Sequence, residues 1–167
     1  MSKAIIFIGA TGEGKTTGAL NLIKKSGNNN IFVFDYRGES AYDELATDLN
    51  APRCKFTGKP TDYLEIARRK PNTWLLIEEA TIFFNGRSTE ELREILVSKR
   101  HRGHNIIFLF HTIGTVPPFI LDMADYICLY RTGDTLATVK KKRDKLIPYF
   151  VKLQRMPKYS RFLIKNI

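Results

Sequence analysis

Cysteine is scarce: Cys54 and Cys128 are the only two in 167 residues. Their separation matches no zinc-ligand spacing, which excludes a cysteine metal centre, and two thiols are too few for a disulfide scaffold. Both stand in or beside apolar, strand-like segments and read as buried thiols of a protein in a reducing compartment such as the cytoplasm; the alternative is a lone disulfide. Long apolar runs are missing too. Nothing approaches the ~20 consecutive apolar residues of a membrane helix. Lys3 and the short run behind it resemble the start of a secretory signal, but the run ends in a glycine-rich loop, so the segment is read as part of the fold. With no internal repeat and no low-complexity linker, this length and a 43% apolar content indicate one domain around one core.

Acidic residues thin out towards the C-terminus. From Arg131 to Ile167 there are 11 Lys/Arg against 2 Asp/Glu, so this stretch carries +9 of the net charge of +10. Lys140, Lys141, Lys142, Arg143 and Lys145 form the densest cluster. Such a segment suits contact with a polyanion, whether nucleic acid, an acidic protein face or a membrane surface; the alternative is a solvated basic face that aids solubility.

What is present is concentrated near the N-terminus. GATGEGKT, formed by Gly9, Ala10, Thr11, Gly12, Glu13, Gly14, Lys15 and Thr16 and followed by Thr17, matches the phosphate-binding pattern G-x-x-x-x-G-K-[ST]; the alternative is a glycine-rich turn that binds nothing. A triphosphate needs several backbone N–H groups at close range, and glycines let the chain bend and approach without a Cβ in the way. Lys15 supplies a positive charge for the β- and γ-phosphates, and Thr16 a hydroxyl for Mg²⁺. The apolar run AIIFIGA precedes the loop as a buried parallel strand would, and TTGALNLIKKSG follows as a helix. The helix start directs its positive dipole end at the same phosphates.

Downstream, apolar strand-like runs alternate with helix-like stretches. Strands are expected at 4–9, 30–36, 73–79, 105–112 and 125–131, and helices at about 15–25, 40–49, 60–69, 88–101 and 117–123. Ser88 and Glu91 look like a capping box for the fourth helix, and Pro117 and Pro118 suit entry to the fifth. The alternation predicts an α/β fold with a mainly parallel central sheet flanked by helices, of the P-loop NTPase (RecA-like) type. Residues 1–131 make the ATPase core. The basic extension 132–167 is packed on it or continues the same domain, as extra strands, a hairpin or a partner-binding segment.

A phosphate loop alone only holds nucleotide. Hydrolysis also needs a group for Mg²⁺ and a group that orients water. In TWLLIEEA, four apolar residues deliver Glu78 and Glu79 at the strand's C-terminal end, the edge where α/β sheets bind ligands. Glu78 takes the metal position, usually held by Asp. Glu79 takes that of the catalytic base that polarises water; the alternative is that one of the two glutamates is a helix-start residue or an ion-pair partner. His111, ending the fourth strand, either senses the γ-phosphate and places the water or is a hydrogen-bonded core histidine.

Taken together, GATGEGKT, FDYRGES (34–40), LLIEE, SKRHRGHNIIFLFHT (98–112) and VPPFILDMADYICLYR resemble the FtsK–HerA superfamily of ring-forming DNA-pumping ATPases, which includes viral genome-packaging ATPases and Zot-like phage assembly proteins. The resemblance spans about residues 4–131. Two departures stand out: Glu78 replaces the usual aspartate, and His111 the glutamine common at the sensor position. The resemblance implies that the fourth strand inserts between the loop strand and the Glu78–Glu79 strand. It also implies a homo-oligomeric ring, a hexamer, with ATP and Mg²⁺ between neighbours and a viral capsid or membrane protein as docking partner. An arginine from one subunit would then complete the next subunit's site: Arg100 or Arg102 at the end of the fourth helix, with Arg87 third. DNA contacts would come from pore loops and from the cluster Lys140, Lys141, Lys142, Arg143 and Lys145, with Arg87 also available. Two other functions share the loop: a small-molecule or nucleoside kinase, and a nucleotide-gated assembly module that attaches through its basic tail.

Overall fold

The computed structural model describes residues 2–38, 42–44, 47, 55–84 and 86–166. The order of elements is β1 (Ala4–Ile8), α1 (Lys15–Ser26), β2 (Ile31–Phe34), β3 (Lys55–Phe56), α2 (Pro60–Arg68) and β4 (Trp74–Ile77). A 3₁₀ turn (Ala80–Phe83), α3 (Arg87–Arg102), β5 (Asn105–Phe110), α4 (Pro118–Met123) and β6 (Tyr126–Tyr130) follow. The chain closes with α5 (Leu136–Arg143), a second 3₁₀ turn (Asp144–Leu146), α6 (Ile147–Leu153) and β7 (Arg161–Lys165).

One sheet runs β3-β2-β4-β5-β1-β6-β7, parallel throughout except for the antiparallel pair β6–β7. The strand ending at His111 therefore lies between the loop strand β1 and the glutamate strand β4, in register Ile6↔Phe108 on one side and Leu75↔Ile106 on the other. Strands buried on both faces need continuous apolar runs, and AIIFI and IIFLF supply them. Each such side chain contributes about 2 kcal/mol of burial.

Alternation splits the core. Ile6, Ile8, Phe108, Phe110 and Ile127 face one layer, which α2 to α6 cover through Leu64, Leu92, Ile95, Ile120, Val139 and Phe150. Ile5, Phe7, Ile107 and Leu109 face the other, where α1 packs Ala19, Leu20 and Ile23 beside Tyr42. The helices thus lie on both faces, as the alternation predicts.

Several expected boundaries shift. The strands expected to run to 36, 79 and 112 stop at Phe34, Ile77 and Phe110, where the chain turns: Asp35 Oδ1 accepts from Gly38 N–H, Glu79 has left-handed backbone, and Thr112 Oγ1 accepts from Thr115 N–H. The capping box is not formed as expected: α3 starts at Arg87 with Gly86 at its N-cap (φ 57, ψ −127) and no side-chain cap, which leaves Ser88 inside the first turn. Most of the helix expected at 40–49 lies outside the described residues, as does Cys54; residues 42–44 and 47 are helical. Cys128 is a buried free thiol, and burial pushes its pKa up to about 11. The basic extension adds α5, α6 and β7, the last pairing along the whole of β6 from Tyr126↔Lys165 to Tyr130↔Arg161.

Candidate active site

β1, β4 and β5 run parallel, so their C-terminal ends open on one edge. That edge holds a cleft of about 310 Å³ lined by the phosphate loop, Arg37, Glu78, Glu79, His111 and Tyr159.

The loop is built before any ligand arrives. Gly9 N–H donates to Phe110 O at 3.1 Å and Ala10 N–H to Arg131 O at 2.9 Å, which bridges the loop between β5 and the end of β6. Gly14 is the N-cap of α1 with φ 87, a conformation L side chains rarely adopt. Lys15 is buried and its Nζ donates to Ala10 O at 3.0 Å, so the ammonium is folded back over the loop where phosphate oxygens would lie. Thr11, Gly12, Thr16 and Thr17 also line the cleft. Glu13 points away: its Oε1 pairs with Arg131 at 3.2 Å and its Oε2 accepts from Tyr159 N–H at 3.4 Å.

Opposite the loop, β4 ends and the chain turns sharply. Glu79 has left-handed backbone (φ 48, ψ 47) and starts the 3₁₀ turn. Its Oε1 is 2.9 Å from Arg37 Nη2 and 2.6 Å from His111 Nε2. His111 Nδ1 lies 3.4 Å from Thr11 Oγ1. One neutral tautomer satisfies both contacts, with Nε2–H donating to Glu79 and Nδ1 accepting from the Thr11 hydroxyl. Thr11, His111, Glu79 and Arg37 thus form a polar chain across the cleft, and His111, 38% exposed at its side chain, is a cleft residue rather than a core histidine.

Arg37 was given no role by sequence reasoning, although it lies within the FDYRGES segment. The turn that carries it is held by Asp35, fully buried, whose Oδ1 accepts from Gly38 N–H at 2.8 Å and whose Oδ2 meets Lys55 Nζ at 3.2 Å. Tyr159 was missed as well; no motif marks a residue that the last strand brings back to the loop.

Thr16 and the buried Glu78 face the same cleft. Among the described residues no group of three His, Cys, Asp or Glu could cage a metal. Mg²⁺ needs no such cage: it takes one or two protein oxygens, water and substrate phosphate oxygens. A hydroxyl and a carboxylate beside a phosphate loop fit that donor set.

The arginines fall elsewhere. Lys99 is pinned to Asp125 at 3.1 Å, and Arg102 donates to Arg68 O, which fixes the last turn of α3. That turn leads into the start of β5, so Arg100 and Arg102 lie at the sheet edge opposite the cleft of their own chain. Arg87 opens α3, and its side chain is outside the described residues. The basic cluster divides. Lys142 donates to Val116 O at 3.3 Å, and Arg143 to Asp122 and Asn166 at 2.8 Å each; Lys140, Lys141 and Lys145 are exposed. No helix among the described residues is long and apolar enough to cross a membrane.

The fold matches known structures across nearly its whole length. The genome-packaging NTPase B204 of Sulfolobus turreted icosahedral virus 2, in complex with ATP-γS, superposes with a TM-score of 0.77 at 17% identity, over 99% of this chain and 92% of that one. This is a P-loop NTPase fold. EssC (ATPases 2 and 3) from Geobacillus thermodenitrificans gives 0.69 at 13% identity over 98% of this chain and 38% of that one. The N-terminal domain of zonular occludens toxin from Neisseria meningitidis gives 0.55 at 16% identity, over 80% and 78%. The resemblance read from the motifs is thus matched at the level of the fold, by structures that include a viral genome-packaging NTPase and a zonular occludens toxin domain. No family model matches the sequence, and no curated protein matches it significantly.

Proposed function

We propose that this P-loop chain is an ATP-hydrolysing nucleic-acid translocase, a viral or plasmid DNA-packaging motor subunit that acts as a homo-oligomeric ring of the hexameric kind. The observation that carries the reading is the meeting, in one cleft, of Lys15 and Thr16 from the loop, Glu78 and Glu79 from the end of β4 and His111 from the end of β5. A kinase shares the loop, but a carboxylate held opposite it favours activation of water.

In this reading the N–H groups of Gly12 to Thr17 and the Lys15 ammonium hold the phosphates of ATP. Thr16 and Glu78 would hold Mg²⁺, which when bound neutralises charge on the β- and γ-oxygens. Glu79 orients water and takes its proton as the water oxygen bonds to the γ-phosphorus. The bond to the β–γ bridging oxygen breaks, leaving ADP and phosphate. His111 holds the Glu79 carboxylate and is placed to respond to the γ-phosphate through Thr11. Arg100, or Arg102 on exchanging its contact with Arg68 O, would complete a neighbour's site, where a planar guanidinium stabilises the spreading phosphoryl charge. The cargo in this reading is DNA, supported by the similar fold of B204, the DNA-packaging ATPase of Sulfolobus turreted icosahedral virus; the exposed lysines of the basic extension would contact it, and a capsid or membrane protein would be the docking partner.

The test is ATPase rate against protein concentration, with and without DNA, alongside sedimentation. A rate per subunit that rises with a ring-sized species and with DNA supports the motor. A concentration-independent monomeric rate indifferent to DNA points to a kinase. No turnover under any condition points to a nucleotide-gated assembly module.

A further inference from the structure

One wall of the cleft comes from the C-terminal segment. Tyr159, in the turn before β7, has left-handed backbone (φ 68) and is 59% exposed. A large aromatic so placed gains little from the core. Its ring lies against the phosphate loop: Cδ1 is 3.3 Å from where a Cβ on Gly14 would stand. Its N–H is tied to Glu13, and Glu13 to Arg131. Lys158 Nζ lies over the ring, 5.2 Å from its centroid.

Tyr159 also lines a second cavity of about 360 Å³, which shares Gly14, Thr17 and Tyr159 with the phosphate cleft. The two cavities therefore adjoin at the first turn of α1. The second lies towards β6 and β7, away from Glu78 and Glu79, with Asn21 and Arg161 as polar walls and Gly18 and Tyr130 behind. Gly18 is required there, because a Cβ would stand 2.2 Å from the Tyr130 hydroxyl. The volume is within the usual range of ligand sites, ~300–1,000 Å³.

We propose that this second cavity takes the purine base of the bound nucleotide, stacked on the Tyr159 ring. The inference rests on the phosphate-loop reading. A triphosphate whose γ end faces Glu79 leaves the loop by Thr17 at its α end, and the nucleoside then enters the space beyond. Stacking on a tyrosine tolerates any base and favours the larger purine surface.

Calorimetric titration of the full chain with ADP and with inorganic pyrophosphate separates base from phosphate. Asparagine accepts left-handed backbone, so Tyr159→Asn removes the ring with little change to the turn. It is expected to weaken ADP about tenfold and to leave pyrophosphate within about twofold, whereas Tyr159→Phe leaves both unchanged. Equal weakening of both ligands would mean that Tyr159 only braces the loop through Glu13, and would overturn the base site. Unchanged ADP affinity in Tyr159→Asn would also overturn it, as would a loss of DNA binding with ADP intact, which assigns the ring to the cargo. A native chain that binds neither ligand, with Lys15→Ala no different, removes the phosphate-loop reading and the base site with it.

Discussion

His111 Nε2 lies 2.6 Å from Glu79 Oε1, and the two residues come from the ends of adjacent parallel strands, β5 and β4. Left-handed backbone at Glu79 turns the carboxylate across that gap. A carboxylate held by a histidine and an arginine has few accessible positions, which suits a group that must aim a water. Glu79→Gln keeps the shape and removes the base. It is expected to retain ATP binding while kcat falls about a hundred- to ten-thousand-fold. Unchanged turnover would remove Glu79 from this role.

His111→Ala frees one side of Glu79 without touching the loop backbone. The expected outcome is a fall in kcat with ADP affinity kept, and partial rescue by His111→Gln, which can still donate to Oε1. Steady-state kinetics of both variants, with ADP titration as control, check this. Loss of ADP binding in His111→Ala would make the residue a structural support of the loop instead.

Lys15→Ala removes the ammonium that Ala10 O holds over the loop. Charge-assisted contacts to phosphate are among the stronger ones, at about 1.5–3 kcal/mol each, so ATP and ADP affinity should fall at least tenfold. Melting temperature should change little, because the burial of Lys15 serves the ligand rather than the core. Unaltered affinity by equilibrium titration would refute the loop assignment.

The legible parts of this molecule are those in which one local pattern meets one physical need. AIIFI followed by GATGEGKT reads as a buried strand feeding a phosphate loop, and LLIEE places two carboxylates at a strand end. The order β4-β5-β1 came from resemblance rather than periodicity, since a period of two says nothing about neighbours. Arg37 and Tyr159 were not legible. Arg37 reaches the cleft because buried Asp35 sets the turn at Gly38, and Tyr159 because β7 runs antiparallel beside β6; both are consequences of tertiary register. The basic cluster misled in part, since composition does not distinguish Lys142 and Arg143, bonded to the fold, from the exposed Lys140 and Lys141.

That division yields a sharper test of the tail. Replacing Lys140, Lys141 and Lys145 with alanine should weaken DNA binding and reduce the salt slope by up to about three, roughly one for each phosphate that is no longer neutralised. Replacement of Lys140 and Lys141 should leave stability almost unchanged. Arg143→Ala breaks its hydrogen bonds to Asp122 and Asn166 and should instead lower the melting temperature. Filter binding across a salt series and thermal denaturation separate the two effects. An unaltered slope in the triple variant would leave the exposed lysines as a solvated face.

His104 gives the fold a pH dependence independent of the active site. It is fully buried, and its Nε2 lies 2.8 Å from Lys70 O, a contact that the neutral tautomer makes by donating Nε2–H. Burial, with a lesser contribution from the Arg102 charge, holds its pKa below the ordinary 6.5, although the Lys70 carbonyl acts the other way. The unfolded chain therefore binds a proton more readily than the folded one, so stability rises with pH through this range. The contribution of neutral His104 is fully present above about 6.5 and is lost as pH falls towards the lower folded value. Denaturant midpoints at pH 7.5 and 5.5 should differ in the native chain and differ less in His104→Gln, which keeps a donor for Lys70 O but cannot charge. An equal drop in both would assign the acid sensitivity to groups other than His104; Asp125, whose pKa is held below the ordinary 3.8, loses its contribution only at pH below that value, outside this window.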